Sequence, residues 1–231
     1  MCIIAICDSL HLPKDNFKKC FTSNRDGFGF AWNENGKVQY IKGLMKEDEA
    51  WEIYSKFAKK NLFPYILHFR LGSPVIPELT HPFIINEDSN LYLDSSSARK
   101  KGETFNNVLF HNGIISDWKV MLVNMFMHNG KIPCDEWSDT RMVAIMINKL
   151  GKDILNFVSG KYVIFGKDKM FVDGDFEEDK DLKGIRFSNS SYKVYRYKNE
   201  QKKDYSNFHS NMQESLLSTA DNLDKLDMFI V

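Results

Sequence analysis

Apolar runs short enough to be strands alternate along this chain with polar stretches spaced as helices. Residues 2–7 are unbroken apolar, the pattern of a strand buried on both faces. A second strand is expected at Gly27–Trp32, a turn at Asn33-Glu34-Asn35-Gly36, and a return at Lys37–Lys42; Asn-Gly between aromatic-rich runs signals a hairpin. Trp51, Tyr54, Phe57 and Ala58 recur at three- and four-residue spacing among Glu and Lys, which predicts an amphipathic helix over 46–60. Tyr65–Arg70 reads as a buried strand, followed by a loop punctuated by Pro74, Pro77 and Pro82. Residues 86–107 are polar around Ser95–Gly102 and predict a mobile excursion, either a lid or an unstructured insertion.

Strand Val108–His111 leads into Asn112-Gly113, and helices are expected at 117–127 and 139–149, the second behind Ser138 as N-cap. Strands are expected again at Lys161–Phe165, Met170–Val172, Gly184–Phe187 and Tyr192–Tyr197, with the acidic run Asp173–Asp179 as a solvated hairpin tip. Strands, helix, strands, two helices and strands again predict an α+β fold rather than a βαβ repeat. The domain is expected over residues 2–197. Residues 198–231 then form a polar tail whose weakly amphipathic end suits docking on a partner.

Composition narrows the function. The 31 Lys+Arg balance 31 Asp+Glu, so the chain carries no net charge with which to grip phosphates, and no nucleic-acid partner is expected. Nothing approaches the ~18 consecutive apolar residues of a membrane span. The N-terminal run lacks a basic region and is ended by Asp8, so neither a membrane nor a signal peptide is expected. Cys2, Cys7, Cys20 and Cys134 form neither a disulfide framework nor a zinc pattern, which points to a cytoplasmic protein with reduced thiols. His11, His68, His81, His111, His128 and His209 lack metal-ligand spacing, and no phosphate-binding glycine loop occurs, so neither metal nor cofactor is expected.

Candidate chemistry sits where strands begin or end. Removal of Met1 would leave Cys2 with a thiol and a free α-amine of similar proton affinity, about 8.5 against about 7.7–8.0, so one residue could supply nucleophile and base; a buried strand Cys is the plain alternative. Asn112 and Gly113 could offer a side-chain amide and a backbone N–H to one oxyanion, or form an ordinary turn. Arg70 could clamp a carboxylate or make a surface ion pair. Asp139 could hold an ammonium group or compensate a helix dipole.

Six motifs in order carry a resemblance: Met1-Cys2-Ile3, Arg25-Asp26-Gly27-Phe28-Gly29-Phe30-Ala31-Trp32, His68-Phe69-Arg70, Thr80-His81-Pro82-Phe83, Phe110-His111-Asn112-Gly113-Ile114 and Ser138-Asp139-Thr140. Together they resemble the class II glutamine amidotransferases of the N-terminal nucleophile hydrolase superfamily, over residues 2 to about 195 and closest to the small stand-alone members. The resemblance implies a four-layer αββα sandwich. It implies that Cys2 attacks the glutamine side-chain amide, that Asn112 and Gly113 stabilise the oxyanion, and that Arg70 and Asp139 hold the substrate's α-carboxylate and α-ammonium. His68, His81, His111, Asp26 and Gly27 are expected to support the site. The family usually continues Trp/Lys-Ala-Thr after His-x-Arg, whereas this chain has Leu71-Gly72-Ser73, so Ser73 is expected to take over the threonine's contact with substrate. Glutamine or another γ-glutamyl amide is the implied substrate, with ammonia either released or passed to a separate synthase. A catalytically idle binding or regulatory member is the alternative from another class.

Overall fold

The computed structural model describes residues 1–87, 89, 100–126 and 136–193. These lie within one compact unit, Met1–Tyr195. The tail expected at 198–231 falls outside the described residues.

The chain runs β1 (Ile3–Cys7), α1 (Lys14–Ser23), β2 (Phe28–Glu34), β3 (Lys37–Leu44), α2 (Glu47–Ala58), β4 (Tyr65–Phe69), β5 (Phe83–Ile84) and β6 (Lys100–Thr104). It continues through β7 (Val108–Asn112), α3 (Trp118–Phe126), α4 (Asp139–Leu150), β8 (Lys161–Phe165), β9 (Met170–Asp173), β10 (Glu177–Asp179) and β11 (Leu182–Phe187). The result is a mixed α/β fold with two antiparallel sheets, one ordered β10-β11-β1-β4-β2-β3-β6 and the other β5-β7-β8-β9.

The unbroken apolar pattern of β1 has a direct cause: both its faces are covered. Ile3, Ala5 and Cys7 pack with Phe17, Cys20 and Phe21 of α1 and Tyr54 of α2. Ile4 and Ile6 point the other way, into a cluster with Val108 and Phe110 of β7 and Val163 and Phe165 of β8. The opposite face of the smaller sheet, through Leu109, Tyr162 and Ile164, packs on Leu122 of α3 and Met142 and Ile145 of α4. Alternation along each strand therefore sends successive side chains into different clusters.

Several expectations need correction. Helix α1 stands where no element was expected; its three buried residues follow a 17, 20, 21 spacing that the surrounding Lys and Asn obscure. The polar stretch 86–107 is not irregular throughout, since Lys100–Thr104 forms β6 on β3 at the sheet edge, where a strand can be polar and still pair. Its residues 88 and 90–99 lie outside the described set. The acidic run is not a hairpin tip: β9 belongs to the four-stranded sheet and β10 to the seven-stranded one, so Gly174–Phe176 carries the chain between sheets. In place of a strand at 192–197, Ser191–Lys193 makes a 3-10 turn, and residues 194–197 are outside the described set.

Candidate active site

Strand β4 is central in its sheet, paired with β1 on one side and β2 on the other. Its register sets Ile3 opposite Phe69, so Cys2, one residue before β1, meets the chain just beyond β4. There the Leu71 N–H donates to Cys2 Sγ at 3.5 Å, and the thiol returns a hydrogen bond to the Leu71 carbonyl at 3.6 Å. Asn189 Nδ2 fixes the Cys2 carbonyl at 2.6 Å, and the buried Asn24 amide donates to the Met1 carbonyl at 2.7 Å.

The electrostatics of the thiol identify its neighbours. Burial pushes the Cys2 thiol up; the Leu71 N–H, the Arg70 guanidinium and the terminal ammonium pull it down, and Asp139 pushes it up. Burial depresses the Arg70 guanidinium, while Cys2, Asp26 and Asp139 act to raise it. Cys2, Arg70 and Asp139 thus share one electrostatic neighbourhood, although they stand at positions 2, 70 and 139.

The Arg70 side chain donates to the Gly72 carbonyl at 2.8 Å, and the Gly72 N–H donates to Asp26 Oδ2 at 2.9 Å. The Arg70 backbone exchanges bonds with Asp26 N–H and the Gly27 carbonyl at 3.0 and 2.8 Å. Asp26 and Gly27 therefore hold the strand end that carries Arg70. Gly27 has φ +121°, and a Cβ there would sit 2.5 Å from Thr80 Cγ2, so glycine is required on both counts. Ser73 is exposed and joins none of these bonds among the described residues.

Asp139 opens α4, where Ser138 caps the helix by accepting from Arg141 N–H at 3.1 Å. Its carboxylate accepts from Ile115 N–H at 3.2 Å and from Thr140 N–H at 2.7 Å, which fixes its direction. Behind it lies a buried group of imidazoles. His111 Nδ1 and His81 Nε2 meet Thr140 Oγ1 at 3.0 and 3.2 Å. His68 stacks on His81 at 3.7 Å and reaches the His111 carbonyl at 3.0 Å; a carbonyl only accepts, so His68 carries its hydrogen on Nε2. Burial pushes all three imidazoles down, His68 to about 3, and Asp139 pulls His111 part of the way back. They are neutral at ordinary pH.

Asn112 ends β7 opposite Lys161 of β8. Its buried amide lies 2.9 Å from Ser188 Oγ, and Oδ1 has no partner among the described residues. Next to it, a Cβ on Gly113 would come within 2.6 Å of the His111 ring and 2.8 Å of the Gly160 backbone. Ser188, Asn189 and Asn24 were not singled out by pattern. Ser188-Asn189 nonetheless carries the signal that marked Asn112-Gly113, a polar pair closing an apolar strand.

A cavity of about 700 Å³ lies elsewhere, at the far end of the smaller sheet, lined by residues including Asn107, Lys152, Ile164 and Phe171. Among the described residues no group of three His, Cys, Asp or Glu is arranged to hold a metal ion, and no helix is long and apolar enough to cross a membrane.

No protein-family model matches the chain, and no curated protein matches it. Solved structures do resemble it, among them the following two. Glutamine phosphoribosylpyrophosphate amidotransferase from B. subtilis, complexed with ADP and GMP, is similar at TM-score 0.53 and 14% identity, over 81% of this chain and 41% of that one. The allosteric regulatory enzyme of purine biosynthesis is similar at TM-score 0.51 and 15% identity, again over 81% and 41%. The chain thus spans less than half the length of either neighbour. At such identities the likeness is one of fold alone.

Proposed function

We propose that this chain is a class II glutamine amidotransferase domain of the N-terminal nucleophile type, a cysteine-dependent glutaminase. The observation that carries the reading is the shared neighbourhood of Cys2, Arg70 and Asp139. A thiol flanked by one cation and one anion suits a substrate that carries both an α-carboxylate and an α-ammonium. The three side-chain clusters, helix against sheet, sheet against sheet and sheet against helix, support the four-layer αββα sandwich that the resemblance implies.

In the proposed reaction Met1 is first removed, so that the α-amine belongs to Cys2 and takes the thiol proton. The thiolate attacks the γ-carbonyl of glutamine. Asn112 and the Gly113 N–H stabilise the oxyanion, while Arg70 and Asp139 hold the two α-groups. Collapse expels ammonia with the transferred proton and leaves a γ-glutamyl thioester, which water cleaves to glutamate. The ammonia is released or taken by a separate synthase. Ser73 stands exposed on the loop beyond Arg70, where it would meet substrate at the rim.

The test is glutaminase assay of the wild type against Cys2→Ala. Wild type should form glutamate and ammonia in equal amounts, and Cys2→Ala should lose at least about three orders of magnitude in kcat, the scale of losing a nucleophile. Equal activity in both, or none in the wild type with Met1 shown by intact mass to be gone, would sink the proposal.

A further inference from the structure

The hydrogen bonds around Asn112 do not balance as placed, and the imbalance identifies a residue that sets the direction of its amide. Ser188 is fully buried just beyond β11. Its backbone N–H donates to the Ile4 carbonyl at 2.9 Å, and its hydroxyl oxygen accepts from the Ile4 N–H at 2.9 Å. Its carbonyl accepts from Lys161 Nζ at 2.7 Å. Ser188 is thereby fixed to the strand of Cys2 on one side and to the neighbour strand of Asn112 on the other.

The Asn112 amide lies 2.9 Å from the same hydroxyl. With Nδ2 facing Ser188, the oxygen accepts two hydrogens, its own O–H has no other acceptor among the described residues, and the buried Oδ1 of Asn112 is left without a partner. Two polar groups are then wasted in a buried place, each at a cost of about 1–3 kcal/mol. The oxygen and nitrogen of a side-chain amide share one outline and are told apart by their partners. Exchanging them gives the Ser188 O–H an acceptor and leaves the NH2 donors, rather than an acceptor, open on the far side. Ile4 N–H donates to Ser188 Oγ, the Ser188 O–H donates to Asn112 Oδ1, and the Asn112 NH2 takes the position otherwise held by the unpartnered oxygen.

We infer that Ser188 is a positioning residue: its hydroxyl holds Asn112 Oδ1 and so turns the amide N–H groups away, toward the place where an oxyanion must be stabilised. The inference rests on the glutaminase reading for its catalytic meaning, but not for its geometry. Ser188 touches no substrate and acts only through Asn112. It also couples the amide to Ile4, two residues from Cys2, so donor and nucleophile are referred to a single fixed point.

Two measurements test this. In glutaminase assays Ser188→Ala should lower kcat about 10- to 100-fold, short of the ~10²–10³ typical of deleting an oxyanion donor, with KM held within about 2-fold. The rate of Cys2 alkylation by iodoacetamide should be unchanged, because the thiol itself is untouched. An unaltered kcat, or alkylation and KM shifting together with kcat, would overturn the role. Neutron diffraction of the wild-type protein in D2O reads the geometry without any activity: deuterium belongs on the Asn112 atom facing away from Ser188. Deuterium on the atom facing Ser188 overturns the inference. A wild type lacking glutaminase but showing the expected deuterium refutes the proposed reaction and leaves the Ser188–Asn112 geometry standing.

Discussion

At the scale of single residues, the buried imidazoles make the clearest prediction. His68 is fully enclosed, and burial takes it to about 3, against about 6.5 in an unfolded chain. Between those values the unfolded chain binds a proton that the folded chain refuses. Stability is therefore greatest above about pH 6.5 and is lost as pH falls toward 3, by about 1.4 kcal/mol per pH unit for one such group. His81, also held down by burial, acts in the same direction. Urea unfolding midpoints should fall between pH 7 and pH 5, and His68→Phe should remove about one proton's share of that slope. A midpoint flat across the range would contradict the neutral, buried stack. Sequence could not announce this stack, because its members stand at 68 and 81 and only the fold brings His68 to 3.7 Å from His81. The positions of Arg70 and Asp139 were legible for a different reason: each marks an element boundary, a strand end and a helix start.

Elements were legible where the core-facing pattern stands clear in the sequence, and illegible where polar residues dilute it, as in α1, or where no core lies opposite. β1, β4, β7 and β8 announced themselves as apolar runs, α2 through its spacing and α4 through Ser138 as N-cap. Edge strand β6, Lys-Lys-Gly-Glu-Thr, has no core to face and so reads as loop. The β2–β3 hairpin was recognised, but its strands run further. The turn narrows to Asn35-Gly36, both with positive φ (55° and 72°), and β3 extends through a bulge at which Phe28 pairs Leu44 while Phe30 pairs Ile41. The hairpin also abuts the segment that carries His81. A Cβ on Gly29 would lie 1.9 Å from the His81 carbonyl oxygen, a backbone atom that cannot swing aside. Gly29→Ala should therefore cost stability at the upper end of the ~1–3 kcal/mol usual for overpacking, and glutaminase activity with it. Equilibrium unfolding of this variant within about 0.5 kcal/mol of wild type would show that β2 and the His81 segment are not in register as described.

At the scale of the molecule, the proposed site is assembled from both ends of the described chain. Cys2 precedes the first strand, Ser188 and Asn189 follow the last, and Asn189 holds the Cys2 carbonyl across 187 positions. Pattern reading finds local elements, so it reached the residues at strand ends but not the bonds between termini. Balanced charge, 31 against 31, agrees with a site that pairs one guanidinium with one carboxylate, yet it would agree equally with many soluble proteins. The stronger argument concerns extent. Every residue assigned a role, from Cys2 to Asn189, belongs to the compact unit Met1–Tyr195. A chain ending at Tyr195 should thus unfold cooperatively and keep glutaminase kcat and KM within about 3-fold of the full chain, measured side by side. Should the shortened chain unfold cooperatively yet lose activity by 10-fold or more, residues beyond Tyr195 must reach the chemistry, and the site described here is incomplete. Retained activity would instead confine residues 198–231 to work outside catalysis, where a tail that docks a synthase belongs.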